Sequence, residues 1–401
     1  MALSLPTIAC ISRTDLDVNG LIRHYFERGF TYLEIKEFIH VHHDVNLSLS
    51  TIKRRLKKMG LYKRPLPGKR VDAVTLRSLV LNELQGSGSN LGYRRVWSHL
   101  KRKGFLVRRE DVRIEIAEND PSGVERRKKR KLKRRKYFSQ GPNHTWHIDG
   151  HDKLKPYGFC LQGCIDGFSR RIIWMEVASS NKKPELVARY YCDAVKLIGG
   201  IPKKLKADDG TEHSIIEPIH ITLRDLVGDE NAVDSFSIVP SPHNQRIESY
   251  WSKLRGDRLG WWQEFFRDMI DLELFDPSDP VLVDCLRFCF MNILRAELKE
   301  LVEEWNEHII SKSINGGPSG RPDTMYFLPH LFGKENHLDE VEDADIDEFQ
   351  AAVDDLPRDF SLEFEEFANT VMAPNGMVMA ENIRDGLNLY LFLLLKITEF
   401  S

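Results

Sequence analysis

The stretch that decides the fold is Thr145-Trp146-His147-Ile148-Asp149-Gly150, a short apolar run ending in a carboxylate and a glycine. Its residue types predict a β-strand with Asp149 at its end and a turn beginning at Gly150. Taken alone, a strand-terminal Asp before Gly is more often a turn residue than a chemical one. Two later acidic positions change that reading. Lys204-Leu205-Lys206-Ala207-Asp208-Asp209-Gly210 is a second short strand that runs into a carboxylate-glycine turn. Ser241-Pro242-His243-Asn244-Gln245-Arg246-Ile247-Glu248 opens with Ser at an N-cap and Pro at the first helical position, which predicts a helix over 242–255 carrying Glu248. Carboxylates from two strands and a helix are the hard oxygen donors that a cation such as Mg²⁺ takes.

Between these landmarks, residues 157–165 and 171–177 read as strands joined by a turn at Asp166-Gly167-Phe168-Ser169-Arg170, and 184–197 as an amphipathic helix. The set Trp146-His147-Ile148-Asp149, Asp166 to Arg171, Asp208-Asp209-Gly210 and Asn244-x-x-x-Glu248 resembles the catalytic core of retroviral and retrotransposon integrases and of DDE-type transposases. The resemblance spans residues 143–255. It implies an α/β, ribonuclease H-like core, a mixed five-stranded sheet with flanking helices. It also implies two bound divalent ions, Mg²⁺ or Mn²⁺, double-stranded DNA as substrate, strand cleavage and strand transfer by phosphoryl transfer, and action as a homo-oligomer. By the same resemblance Asp149 bridges the two ions, and Asp208 and Glu248 each hold one. Asp208 is preferred to Asp209 because the family's Asp lies two positions before the Gly, and Asp209 stands where the family has Asn. Asp209, Asn244, Gln245 and Arg246 are expected as neighbours of the ligands. His147, Ser169, Arg170, Gln245 and Arg246 are candidates for DNA contact, with His147 equally a candidate core residue, whereas Asp152, Asp166 and Glu212 read as structural or solubilising.

Charge is divided along the chain. The net formal charge is −2, yet over residues 1–140 there are 32 Lys and Arg against 14 Asp and Glu, and beyond them 26 against 46. The first third therefore suits a polyanion and the remainder does not. Residues 1–66 carry a three-helix pattern, with a capping box at Thr31-x-x-Glu34 and a third helix whose outward residues are Lys53, Arg54, Arg55, Lys57 and Lys58. A short basic helix held by two others is the helix-turn-helix arrangement, in which that helix enters the major groove. Residues 71–120 resemble the second helix-turn-helix of bacterial insertion-sequence transposases through the run from Asn90-Leu91-Gly92-Tyr93-Arg94-Arg95-Val96-Trp97 to Phe105. There, Tyr93, Val96, Trp97 and Leu100 are expected inside, and Arg94, Arg95, Lys101, Arg102 and Lys103 outside. Residues 121–142 form a basic linker. Its cationic run, Arg126-Arg127-Lys128-Lys129-Arg130-Lys131 and on to Lys136, buries nothing, repels itself, and suits phosphate neutralisation or a nuclear-import address.

Residues 256–333 are expected as a helical extension of the core, and 334–401 as an acidic tail, partly disordered. The six cysteines lack His or Cys partners at ligand spacing, and His40, His42 and His43 lack a cysteine pair, so no structural zinc is expected. No apolar run approaches the ~20 residues of a membrane span. A free-standing, soluble protein is expected, nuclear if the source is eukaryotic and otherwise cytoplasmic or in the nucleoid. The rival reading is a catalytically silent, host-domesticated DNA-binding protein that keeps an integrase fold; intact Asp149, Asp208 and Glu248 favour the enzyme.

Overall fold

A computed structural model describes residues 17–62, 71–128, 138–240, 244–312, 317–353 and 356–400. Its centre is a five-stranded sheet of β1 (Thr145–His151), β2 (Cys160–Asp166), β3 (Ile172–Ala178), β4 (Lys204–Ala207) and β5 (Phe236–Ile238). The order is β3-β2-β1-β4-β5, with the first two pairings antiparallel and the last two parallel. This is the mixed sheet of a ribonuclease H-like core. The first three strands form a meander because Asp166 organises a tight turn between β2 and β3. Its buried carboxylate accepts from the backbone N–H groups of Asn143, Phe168 and Ser169 and from the Ser169 hydroxyl. Asp166 is thus a structural residue, as expected.

The ends of β1 differ from expectation. The strand continues past Asp149 to His151, and Gly150 pairs with Gln162 instead of turning. Side-chain alternation then sets the odd residues His147, Asp149 and His151 on one face and Trp146 and Ile148 on the other. The second face packs on the helix Pro184–Ile198, where Tyr191, Ala194 and Val195 are buried with Trp146, Trp174 and Leu205. The first face is covered by the helix Gln245–Leu254, which buries Ile247, Tyr250, Trp251 and Leu254. That helix begins at Gln245, three residues later than Pro242; the proposed cap residues Ser241 and Pro242 lie outside the described residues.

Before the sheet come seven α-helices among the described residues: α1 (Val18–Glu27), α2 (Tyr32–His43), α3 (Leu49–Lys58), α4 (Ala73–Glu83), α5 (Tyr93–Arg102), α6 (Arg109–Asn119) and α7 (Pro121–Lys128). The first three close on Leu21, Ile22, Tyr25, Phe38, Ile39, Ile52 and Leu56. The capping box forms, with Thr31 N–H donating to Glu34 and Glu34 N–H to the Thr31 hydroxyl. The next helices close separately on Val80, Val96, Leu100, Val112 and Ile116. Residues 121–128, placed in the basic linker by sequence, continue as helix, while 129–137 lie outside the described residues.

The 28-residue helix Pro280–Glu307 runs against β3. At its end, the Asn306 amide accepts from the Ile172 N–H and donates to the Ile172 carbonyl, completing the sheet edge as a strand would. Arg171, at the start of β3, forms a fully buried ion pair with Asp323. The acidic tail expected over 334–401 is a folded element instead. Residues 339–340 pair with 200–201, and the helices Asp343–Ala352, Leu362–Met372 and Ile383–Phe400 bury Ile346, Phe364, Ala368, Met372, Leu389, Tyr390 and Leu393. Their apolar residues recur every three or four positions, so the helices dock on the core despite their charge. Among the described residues, no helix is long and apolar enough to cross a membrane, and the five described cysteines are buried thiols.

Candidate active site

Three elements bring Asp149, Asp208 and Glu248 to one end of the sheet. Asp149 lies on β1, Asp208 directly follows the neighbouring parallel strand β4, and Glu248 sits in the first turn of Gln245–Leu254, the helix that crosses β1. Asp149 is 6% exposed. Burial, reinforced by the negative charges of Asp208 and Glu248, pushes its carboxyl up to about 8. Asp208 goes the other way, because a hydrogen bond from His213 favours its charged form. His213 Nε2 lies 3.1 Å from Asp208 Oδ1, and the imidazole is itself buried.

Asp208, Glu212 and His213 form a cluster whose ligand atoms all lie within 4.8 Å of one another; Asp149 and Glu248 stand outside it. Sequence reasoning gives Glu212 a structural role and does not single out His213. The signal lies in Asp208-x-x-x-Glu212-His213, where the turn Thr211–His213 folds both side chains back towards the end of β4. Asp209, by contrast, faces solvent.

The other expected neighbours tie elements together. Asn244 caps no helix N–H with its side chain. Instead its Oδ1 lies 2.7 Å from His147 Nδ1, and its Nδ2 donates to the Ile148 carbonyl at 2.7 Å. The helix Gln245–Leu254 is thereby bolted to β1 one turn ahead of Glu248. His147 is wholly buried, and burial pulls its imidazole down to about 3, so it is neutral and belongs to this bolt. Arg246 Nε donates to the Gly167 carbonyl at 2.8 Å, fixing the helix to the β2–β3 turn. Gln245 is half-buried beside it. Ser169 is buried in the Asp166 turn, and Arg170 reaches the Pro318 carbonyl.

The donor set fits a divalent cation. It offers hard carboxylate oxygens from three elements, with one of them buried between two further acids, a negative potential that a cation relieves.

The basic residues divide into two groups. On α3, Lys53, Arg54, Lys57 and Lys58 are exposed, and Arg55 donates to Asn19 Oδ1 at 3.0 Å. On α5, only Arg94 is well exposed; Arg95 is half-buried, and half-buried Lys101 lies over the Trp97 ring. Arg94 and Lys103 are exposed as expected, with Lys103 pairing with Glu83, whereas Arg102 turns towards the acidic end of Pro280–Glu307. Arg102 pairs with Glu303 and approaches Glu307, His99 sits between Glu83 and Glu304, and Arg258 binds Glu297 and Glu300. Arg28 of the first unit meets Glu307 at 3.4 Å. A basic face without visible partners in sequence therefore has carboxylate partners about 200 positions away. The side chains of Arg126, Arg127 and Lys128, and all of Lys129, Arg130 and Lys131, lie outside the described residues.

No curated protein matches the chain. Residues 136–322 match the family model described as an integrase core domain, an interval that begins before β1 and ends at the segment closing on β3. With its β3-β2-β1-β4-β5 sheet and its acidic residues on β1, after β4 and on the following helix, this part of the chain is an integrase core domain of ribonuclease H-like fold.

Proposed function

We propose that the protein is a metal-dependent polynucleotidyl transferase that cuts and joins strands of double-stranded DNA. The observation that carries this reading is Asp149, a buried carboxylate set between Asp208 and Glu248 in a core of the integrase family. A sheet needs no such arrangement for stability, and burial beside two like charges works against it.

Asp149, Asp208 and Glu248 are the residues that would hold Mg²⁺ or Mn²⁺. Two such ions supply Lewis acidity to the entering and leaving oxygens of an in-line displacement. His213 keeps Asp208 in its charged, ligating form. Asn244, bound to His147 and Ile148, fixes the helix that presents Glu248. Attack by water cuts a strand, and attack by a DNA 3′-hydroxyl joins one; neither requires a covalent bond to the protein. Lys53, Arg54, Lys57 and Lys58 form the exposed cationic face that would meet DNA phosphates, with α3 as a groove-entering helix. The basic run that begins at Arg126 serves phosphate neutralisation and, if the source is eukaryotic, nuclear import, and the protein acts as a homo-oligomer.

The test is joining of a labelled duplex oligonucleotide, carrying candidate end sequences from DNA flanking the gene, into a plasmid with Mg²⁺ or Mn²⁺. Wild type is compared with Glu248→Gln. Metal-dependent products lost in the variant support the enzyme. Equal duplex binding by both proteins, with no product from either across the flanking sequences, supports a silent DNA-binding protein instead.

A further inference from the structure

We infer that Trp251 is a positioning residue that holds the Asp149 carboxylate in place for its metal. Its indole N–H donates to Asp149 Oδ2 at 2.9 Å, and both side chains are buried. Trp251 lies three residues after Glu248, on the same side of the helix. One helix thus provides a ligand of the site and the donor that orients another.

The sheet is shaped to receive the indole. Gly163 on β2 stands directly opposite Asp149 in the β1–β2 ladder. A Cβ at Gly163 would lie 3.0 Å from Trp251 Cη2 and 3.3 Å from Cζ2, as well as 3.0 Å from Met175 Cε. The missing side chain is the space in which the ring lies across the two strands. His151 borders the ring, with centroids 4.9 Å apart. The indole therefore has little freedom to swing its N–H away from Asp149. A carboxylate held by one fixed donor presents its remaining lone pairs in a defined direction, which lowers the ordering cost of taking up a cation. A purely packing role for Trp251 would be served as well by Phe, which lacks the N–H that meets Asp149.

The inference rests on Asp149 being a metal ligand, and the experiment separates the two. Mn²⁺ binding to the full chain is measured by electron paramagnetic resonance and by calorimetry for wild type, Trp251→Phe, Gly163→Ala and Asp149→Asn, with melting in chelator recorded for each. Trp251→Phe keeps the ring and loses the donor; Gly163→Ala keeps every polar atom and displaces the ring. We expect each to weaken Mn²⁺ binding, Trp251→Phe by about 10- to 100-fold, the range found when a hydrogen-bond partner of a ligand is removed. Melting in chelator should fall by a few degrees in each and show that both variants remain folded at the temperature of the binding measurement. Wild-type Mn²⁺ affinity in both variants, alongside loss in Asp149→Asn, overturns the positioning role alone. Undiminished Mn²⁺ binding by Asp149→Asn overturns the underlying site. If Trp251→Phe does not fold, Gly163→Ala decides.

Discussion

Replacing Asp149 by Asn should stabilise the metal-free protein while abolishing its response to metal. In the folded chain the carboxyl titrates at about 8, against ~3.9 in an unfolded chain. Between those values the folded state binds the extra proton, so stability is full below ~pH 4 and falls as pH rises towards 8. At pH 7 the span is ~3 units, and at 1.36 kcal/mol per unit the ceiling is ~4 kcal/mol. Burial supplies most of this cost and the half-exposed Asp208 and Glu248 the rest, and with relaxation around the carboxylate ~2 kcal/mol is the working figure. Asn is neutral and retains an oxygen for the Trp251 N–H. Thermal melts in chelator at pH 7.5 should therefore show Asp149→Asn melting a few degrees higher, with a flatter dependence on pH between 5 and 8. Added Mg²⁺ should raise the wild type and leave the variant unmoved. A variant that melts at or below wild type in chelator with an unchanged pH slope refutes the electrostatic argument.

Further outcomes are expected from the same contacts. Asp323→Ala strands the buried Arg171 guanidinium and should cost ~3–5 kcal/mol by calorimetry, whereas Arg171→Met with Asp323→Leu should recover most of it. Asn244→Ala leaves the Ile148 carbonyl and His147 without their partner. It should cost ~1–3 kcal/mol and reduce strand transfer more than DNA binding. Changing Lys53, Arg54, Lys57 and Lys58 together to Ala should weaken duplex binding and lower the slope of log affinity against log salt by ~3–4, since each phosphate contact contributes ~0.9. An unchanged slope would remove α3 from the DNA interface.

The features legible in the sequence are the local ones. The strand at Trp146-His147-Ile148, the Asp166 turn and the Thr31–Glu34 capping box depend on near neighbours, and each is present. The position of Asp149 within its strand is hidden because Asp-Gly signals a turn unless a partner strand, here Gln162 and Gly163, claims both residues. Composition conceals the last helices. Residues 335–367 hold 14 Asp and Glu, but they interleave with 13 apolar residues, of which Ile346, Val353 and Phe364 are buried because the core offers a face to cover. The inward turn of Arg102 and His99 is not legible at all, since Glu303 and Glu304 approach them only through the tertiary fold.

That last contact alters how binding to nucleic acid should be counted. The carboxylates of Glu300, Glu303, Glu304 and Glu307 are a polyanion the protein carries within itself, already condensed on Arg28, His99, Arg102 and Arg258. A duplex entering along α5 would exchange against these fixed charges and not against mobile counterions around it. The entropy of counterion release, which drives most protein association with DNA, would then come only from cations that face water. A tally of Lys and Arg in the first third of the chain would overstate the salt sensitivity of the complex, and the shortfall would measure how much of that basic charge the protein spends on holding itself together.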